Sequence, residues 1–113
     1  MSLLKSFGYS IKGFLAAING ERNIRIHLGA TLIVTALGFW FEISGTDWCI
    51  LLIVIGTVIS AELINTSIEC LANVVTKDHH VGIGKVKDIA SSAVLVLSAI
   101  SVIVGVIVFT KYV

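Results

Sequence analysis

The chain has 113 residues, of which 57% are hydrophobic and 13% are charged, and its formal net charge is +1. A water-soluble domain of this size could not bury so much apolar surface, and the near-neutral charge gives no sign of a nucleic-acid partner. We therefore expect a single integral-membrane domain over 1–113, an all-α protein whose long helices no proline interrupts.

The first predicted element is an amphipathic surface helix over about 2–19. Its apolar residues recur at helical spacing, while Lys5 and Lys12 mark a polar side. This pattern is typical of a helix that lies in the membrane interface. An ordinary surface helix packed on protein is the alternative.

Three membrane-spanning helices are predicted downstream, over about 23–43, 47–76 and 85–112. A short polar turn separates the first two spans, and the segment 77–84 is the only real loop. Lysine and arginine residues concentrate before the first span and in the loop after the second. Because cytoplasmic segments carry this excess of positive charge, we expect the N terminus and the loop to face the cytoplasm.

Three polar side chains interrupt the apolar second span. Glu62, Asn65 and Glu69 follow an i, i+3, i+7 spacing, which places them on one face of a helix. Glu69 lies near the predicted cytoplasmic end, and Glu62 lies about 10 Å deeper at the helical rise of 1.5 Å per residue. A carboxylate at membrane depth is costly, so these residues are the first candidates for a functional site.

Further charged residues are expected at the same membrane border, among them Glu21, Lys87 and Asp88. Glu21 and Glu69 can share a hard cation such as Mg²⁺, and Lys87 can hold a phosphate as a point charge. Glu62, at greater depth, can accept a proton from a lipid hydroxyl. The combination indicates phosphoryl transfer from a cytosolic nucleotide to a lipid.

Non-enzymatic alternatives remain open at this stage. Glu62 and Asn65 can serve as hydrogen-bonding contacts between helices of a small oligomeric membrane scaffold. A channel subunit with Glu62 facing a pore is another alternative, and it requires water on both sides. A scaffold would not require Glu21, Glu62, Glu69 and Lys87 together.

Two segments resemble the prokaryotic diacylglycerol kinase family of small membrane lipid kinases. The run 62–69 fits the pattern Glu-x-x-Asn-[Thr/Ser]-x-x-Glu, and the run 86–94 fits Ala-Lys-Asp followed by small residues and Ala-Val. The resemblance covers essentially the whole chain. It implies a homotrimer in the bacterial cytoplasmic (inner) membrane, each subunit with one surface helix and three spans. It also implies transfer of the γ-phosphate of ATP, with Mg²⁺, to a lipid hydroxyl.

The resemblance assigns roles residue by residue. It implies that Glu62 is the catalytic base, that Glu21 and Glu69 bind magnesium and with it ATP, and that Asn65 and Ser91 line the lipid-substrate region. Further contacts to ATP are implied for Tyr9, Asp78, His79, His80, Lys87 and Asp88.

Two positions differ from the family pattern, and one segment resembles a particular branch of the family. Asn73 stands where the family usually has Asp, and Val86 replaces the usual Ala before Lys-Asp. The segment 21–27, Glu-Arg-Asn-x-x-x-His, resembles the branch that contains undecaprenol kinases. We therefore favour undecaprenol as the substrate, with undecaprenyl phosphate as product. The alternative is diacylglycerol, which would give phosphatidic acid.

Overall fold

The computed structural model describes residues 2–113 as four helices. They are α1 (Leu3–Gly20), α2 (Arg22–Trp40), α3 (Gly45–Val75) and α4 (Val81–Thr110). The all-α prediction is therefore confirmed. The most extensive helix contact is between α3 and α4, while α2 packs on α3, and α1 contacts both α2 and α3.

Two of the four described helices are long and apolar enough to cross a membrane. They are α3, with 31 residues and a mean hydropathy of 2.1 in its most apolar window, and α4, with 30 residues and 2.8. The sequence also predicts α2 as a span. Its first turns carry Arg22, Arg25 and His27, and it is not one of the two helices that qualify.

A single non-helical residue, Glu21, separates α1 from α2. Its backbone is extended, with φ −124° and ψ 122°. The guanidinium of Arg25 donates to the carbonyl oxygens of Ile18 (2.7 Å) and Asn19 (3.3 Å). The last carbonyls of a helix lack helical partners, so Arg25 satisfies the end of α1 and fixes the bend at Glu21.

The helix α2 ends three residues earlier than predicted, at a turn that reverses the chain. The N–H of Ile43 donates to the carbonyl of Gly38 (3.2 Å), and that of Glu42 donates to Phe39 (3.3 Å). This pair of bonds is a Schellman motif, and it holds Glu42 in the left-handed region at φ 51°. A Cβ at Gly38 would lie 2.5 Å from the Trp48 ring, so only glycine lets α2 and α3 approach here.

The helix α4 begins at Val81, four residues earlier than predicted, so the predicted loop over 77–84 is wrong in its second half. The imidazole Nδ1 of His80 accepts the N–H of Ile83 (3.2 Å) and caps the helix. The predicted loop extended through Gly82 and Gly84, which have low helix propensity, but the cap and the packing against α3 override that propensity.

The two ends of the bundle differ in character. We call the end with residues 41–44 and the C terminus the turn end, and the end with α1 and residues 76–80 the loop end. At the turn end, Ile43, Leu51 and Val108 form the buried apolar cluster. The turn end also buries Asp47, which is paired with Lys111, whereas farther along α3 toward the loop end the buried polar residues Glu62 and Asn65 keep unpaired oxygens, which points to a site there.

Candidate active site

The polar face of α3 is present as the spacing predicts. Glu62 and Asn65 are 1% and 4% exposed, and Glu69 is half-buried one turn farther along. The amide Nδ2 of Asn65 donates to Glu69 Oε1 at 3.2 Å. Asn65 thereby orients the Glu69 carboxylate and leaves the other carboxylate oxygen available.

Glu62 is the unusual member of this face. Neither of its buried carboxylate oxygens has a hydrogen-bond partner within residues 2–113, and the same holds for Asn65 Oδ1 and Thr66 Oγ1. Buried polar atoms are nearly always paired, because leaving one unpaired costs about 1–3 kcal/mol and a charged group costs more. Three residues in little more than one turn carry such atoms, which indicates that the site is built to receive a polar ligand.

A cleft of about 340 Å³ lies between α2, α3 and α4, and Glu62 and Asn65 line it while Thr66 does not. It brings together three of the predicted site residues, Glu62, Asn65 and Ser91. The other lining residues are Asn23, Ile26, His27, Val94, Leu95 and Ser98. The imidazole Nε2 of His27 lies 3.9 Å from Glu62 Oε2.

A second, larger groove continues from the cleft toward the turn end. It has a volume of about 610 Å³ and is lined almost entirely by apolar side chains of α2, α3 and α4. His27 lines both the groove and the cleft. From His27 to Phe41, both of which line the groove, α2 rises about 21 Å. The cleft, which contains the polar residues of α3, and the long apolar groove thus meet at His27.

The carboxylates at the loop end are the candidates for a metal. Glu21 lies at the α1–α2 bend and Glu69 in the last two turns of α3, at the same end of the bundle. No cluster of three or more His, Cys, Asp or Glu ligands occurs in the described part of the chain. Two carboxylates still fit Mg²⁺, which is usually held by one or two carboxylates together with substrate phosphates.

Comparison with known proteins identifies the class of this site. Residues 8–109 match the family model of prokaryotic diacylglycerol kinase. The chain belongs to the prokaryotic diacylglycerol kinase family.

Relatives within the family carry two different names. The chain is 37% identical over 105 residues to undecaprenol kinase of Bacillus subtilis (strain 168), covering 93% of this chain and 85% of that one. It is 29% identical over 101 residues to diacylglycerol kinase of Escherichia coli (strain K12), covering 89% and 83%. Diacylglycerol kinase of Pseudomonas aeruginosa is also 29% identical, over 91 residues. The resemblance stated from the motifs is confirmed, and the chain is a lipid kinase rather than a scaffold or a channel subunit.

In this lipid kinase, Lys87 is held by the residue that departs from the family pattern. Its ammonium donates to Asn73 Oδ1 at 2.7 Å, so the amide at the usual Asp position still positions the lysine. Asn73 is neutral, so this contact holds Lys87 without neutralising its positive charge. The carbonyl of Asp88, the next residue, accepts the Ser91 hydroxyl at 3.0 Å.

The remaining predicted ATP contacts are exposed. Tyr9 is 60% exposed on α1, and Asp78 and His79 are exposed in the 76–80 turn. No hydrogen bond or ion pair within residues 2–113 joins them to the three glutamates. His80 has a structural task as the cap of α4, in addition to its predicted nucleotide contact.

One cleft residue that can take part in the chemistry, His27, was not predicted from the sequence. Its position within the 21–27 segment marks the branch resemblance, but no catalytic or binding role follows from that alone. The sequence does contain one indication of its position. Asn23 and His27 are four residues apart near the start of a mostly apolar helix, and residues at i and i+4 share a helix face. Both residues line the cleft.

Proposed function

We propose that this lipid kinase phosphorylates undecaprenol, using ATP with Mg²⁺, and releases undecaprenyl phosphate and ADP. The observation that carries the proposal is the buried Glu62 carboxylate, which has no hydrogen-bond partner and faces a cleft continuous with an apolar groove. The 37% identity to the undecaprenol kinase of Bacillus subtilis supports this choice of alcohol.

Glu62 supplies the base in this mechanism. The lipid hydroxyl enters the cleft and gives its proton to a Glu62 carboxylate oxygen. The alcohol oxygen then bonds to the γ-phosphorus of ATP, and the bond from that phosphorus to the β–γ bridging oxygen breaks. Because Glu62 is only 1% exposed, bulk water has little access to the base, which favours transfer to the lipid over hydrolysis.

Glu21 and Glu69 would hold the magnesium ion at the loop end. Their carboxylates are hard oxygen donors, and Asn65 fixes the orientation of Glu69. When bound, the ion would neutralise charge on the ATP phosphates. Lys87, held by Asn73, would add a positive charge for a phosphate oxygen.

The other nucleotide contacts are proposed at the same end of the bundle. Asp78, His79 and His80 lie in or beside the turn that leads into α4, and Asp88 follows Lys87 on that helix. Tyr9 is on α1, whose polar side we expect to face the cytoplasm. Support for this arrangement comes from their exposure at the end where Glu21 and Glu69 also lie.

The apolar groove favours a prenyl alcohol over diacylglycerol. Undecaprenol carries its hydroxyl at one end of a single long chain, and a groove that begins at His27 and continues toward Phe41 suits that shape. Diacylglycerol has two acyl chains beside its hydroxyl and would need a second path. Phosphorylation of diacylglycerol to phosphatidic acid remains the alternative activity, because two of the relatives carry that name.

We also propose the membrane arrangement. The helix α2 would be a third span beside α3 and α4, with the N terminus and the 76–80 turn facing the cytoplasm of a bacterial inner membrane. The helix α1 would lie in the interface, since it exposes the large apolar residues Leu3, Leu4, Phe7, Ile11 and Leu15. The assembly would be a homotrimer, as the family resemblance implies.

The experiment is a direct competition between substrates. Purified protein in phospholipid vesicles is given γ-labelled ATP and Mg²⁺ with undecaprenol, diacylglycerol, or both at matched membrane concentrations. We expect the larger kcat/KM for undecaprenol. A larger kcat/KM for diacylglycerol would reverse the substrate order, and label in neither lipid would overturn the proposed function.

A further inference from the structure

His27 and Glu62 lie opposite each other at the junction of the cleft and the groove. The distance from His27 Nε2 to Glu62 Oε2 is 3.9 Å, and the side chains are 21% and 1% exposed. A nitrogen and an oxygen at this distance do not share a hydrogen bond, because such bonds require about 2.7–3.2 Å. The carboxylate stays unpaired even though a nitrogen donor is within reach of a small movement.

The distance allows one oxygen atom to be shared by the two groups once a small side-chain movement admits it. An oxygen about 2.8 Å from each of two atoms can be placed whenever those atoms are less than about 5.6 Å apart, and 3.9 Å leaves it between and to one side of them. A hydroxyl at this point can donate its proton to Glu62 and accept the N–H of His27 at the same time.

We propose that His27 positions the lipid hydroxyl by donating its Nε2–H to the hydroxyl oxygen while Glu62 accepts the hydroxyl proton. This inference rests on the proposed function and adds a second anchor for the attacking atom. With one lone pair used by His27 and the proton directed at Glu62, the other lone pair of the hydroxyl oxygen stays available to attack the γ-phosphorus. The proton moves to Glu62 as the oxygen–phosphorus bond forms and the bond to ADP breaks, and His27 keeps its own proton.

The location of His27 adds a role in recognition. It is a polar residue of an otherwise almost wholly apolar groove, at the point where the groove meets the cleft. The groove is also lined by the hydroxyls of Thr31, Ser101 and Thr110, but each of them donates to a backbone carbonyl of its own helix. An alcohol whose chain lies in the groove therefore meets an uncommitted donor at His27. The ligand class that this arrangement suits is a long-chain lipid with a single terminal hydroxyl.

Three substitutions separate this role from a structural one. In His27→Gln, the amide nitrogen reaches about as far as Nε2 and remains a donor. In His27→Asn the donor is too short to reach, and His27→Phe keeps a ring without a donor. Thr35→Val is the matched control on α2, since Thr35 bonds only to the carbonyl of Thr31 and lines neither cavity.

The measurement is steady-state kinetics with undecaprenol varied at saturating MgATP, and then the reverse, together with Tm for each variant. We expect His27→Phe and His27→Asn to lose about 10- to 100-fold in kcat/KM for the lipid, with KM for ATP within about two-fold of wild type. His27→Gln should stay within about five-fold, and Thr35→Val should match wild type. Tm should be similar for all five proteins.

Two outcomes would overturn the assignment while the proposed function stands. One is an active wild type with full lipid kcat/KM retained in His27→Phe. The other is an equal loss in all three His27 variants with lowered Tm, as expected if His27 only pairs with Glu62 for stability. A wild type that phosphorylates neither undecaprenol nor diacylglycerol would overturn the proposed function, and this inference with it.

Discussion

Two buried carboxylates on α3 have opposite surroundings. Asp47, at the turn end, is 2% exposed and fully paired: Lys111 Nζ lies 2.8 and 2.9 Å from its two oxygens, and the Tyr112 hydroxyl donates at 2.5 Å. Glu62, four turns along the same helix, is 1% exposed and has no hydrogen-bond partner within the described residues. The two side chains are almost equally buried, and they differ in whether their carboxylates have hydrogen-bond partners.

The difference separates a structural acid from a functional one. The Tyr112 hydroxyl also accepts the N–H of Ser44 at 3.0 Å, so Asp47 joins the α2–α3 turn to the C-terminal residues. We call Asp47, Lys111, Tyr112 and Ser44 the turn-end clasp. A buried acid without partners lowers stability, so the unpaired Glu62 carboxylate is consistent with a site that a ligand completes.

The largest expected effect is that removing the Glu62 carboxylate lowers turnover but not stability, whereas removing the Asp47 carboxylate lowers stability but not turnover. Glu62→Gln should lower turnover by about 10²–10⁴-fold, since the amide cannot accept the proton, while Tm stays equal or rises. Asp47→Asn should keep turnover and lower Tm. Both are measured on the same preparations by labelled-ATP transfer and thermal unfolding. Retained turnover in Glu62→Gln, or lost turnover in a folded Asp47→Asn, would break the comparison.

Much of this contrast can be predicted from sequence, but not all of it. The i, i+3, i+7 spacing places Glu62, Asn65 and Glu69 on one helix face, because helical geometry alone fixes that relation. Whether a buried acid is paired depends on contacts across the fold. Asp47 meets Lys111 from 64 residues away, and His27 meets Glu62 from another helix.

The helix boundaries show the same limit on a smaller scale. Hydropathy locates α3 and α4, but the ends follow from single hydrogen bonds. The His80 imidazole starts α4 early, and the bond from Ile43 to Gly38 ends α2 early. A residue such as Glu42 at φ 51° is not visible in the sequence, because glycine is the usual residue there.

The metal ligands give the next largest effect. Glu21→Gln and Glu69→Gln should each raise the Mg²⁺ concentration needed for half-maximal activity by about 10- to 100-fold, because an amide oxygen carries only a dipole. The matched control is Glu42→Gln, an exposed glutamate at the turn end. Asp47→Asn is unsuitable as a control, since it removes the clasp. Equal Mg²⁺ titrations for all three variants would refute the assignment of Glu21 and Glu69.

The clasp gives a smaller, pH-dependent effect on stability. The Asp47 carboxylate raises the pKa of the Lys111 ammonium above its ordinary value of 10.5 by accepting its hydrogen bonds. A raised lysine pKa adds stability that is complete below pH 10.5 and is lost as pH rises through the folded-state pKa. Lys111→Met should therefore lower Tm at neutral pH and bring the Tm difference toward zero at high pH. A Tm difference that grows with pH would contradict the pairing.

The smallest effect concerns the turn itself. Glu42→Gly should stabilise the protein by about 0.5–1 kcal/mol, because glycine adopts φ 51° without the steric cost that other residues incur. The control Glu42→Ala keeps the Cβ and should give no gain. Reversible unfolding in mixed detergent measures both. If Glu42→Ala stabilises as much as Glu42→Gly, the left-handed backbone is not the cause.

Single-turnover phosphoryl transfer by Glu62→Gln tests the central claim most directly. The protein is loaded with MgATP, its nucleotide affinity is measured, and transfer of the γ-phosphate to undecaprenol is then followed in the same bilayer. We predict nucleotide affinity within about two-fold of wild type and transfer slowed by about 10²–10⁴-fold. Transfer within a few-fold of wild type would make Glu62 a structural residue and leave Asp88 as the next candidate for the base.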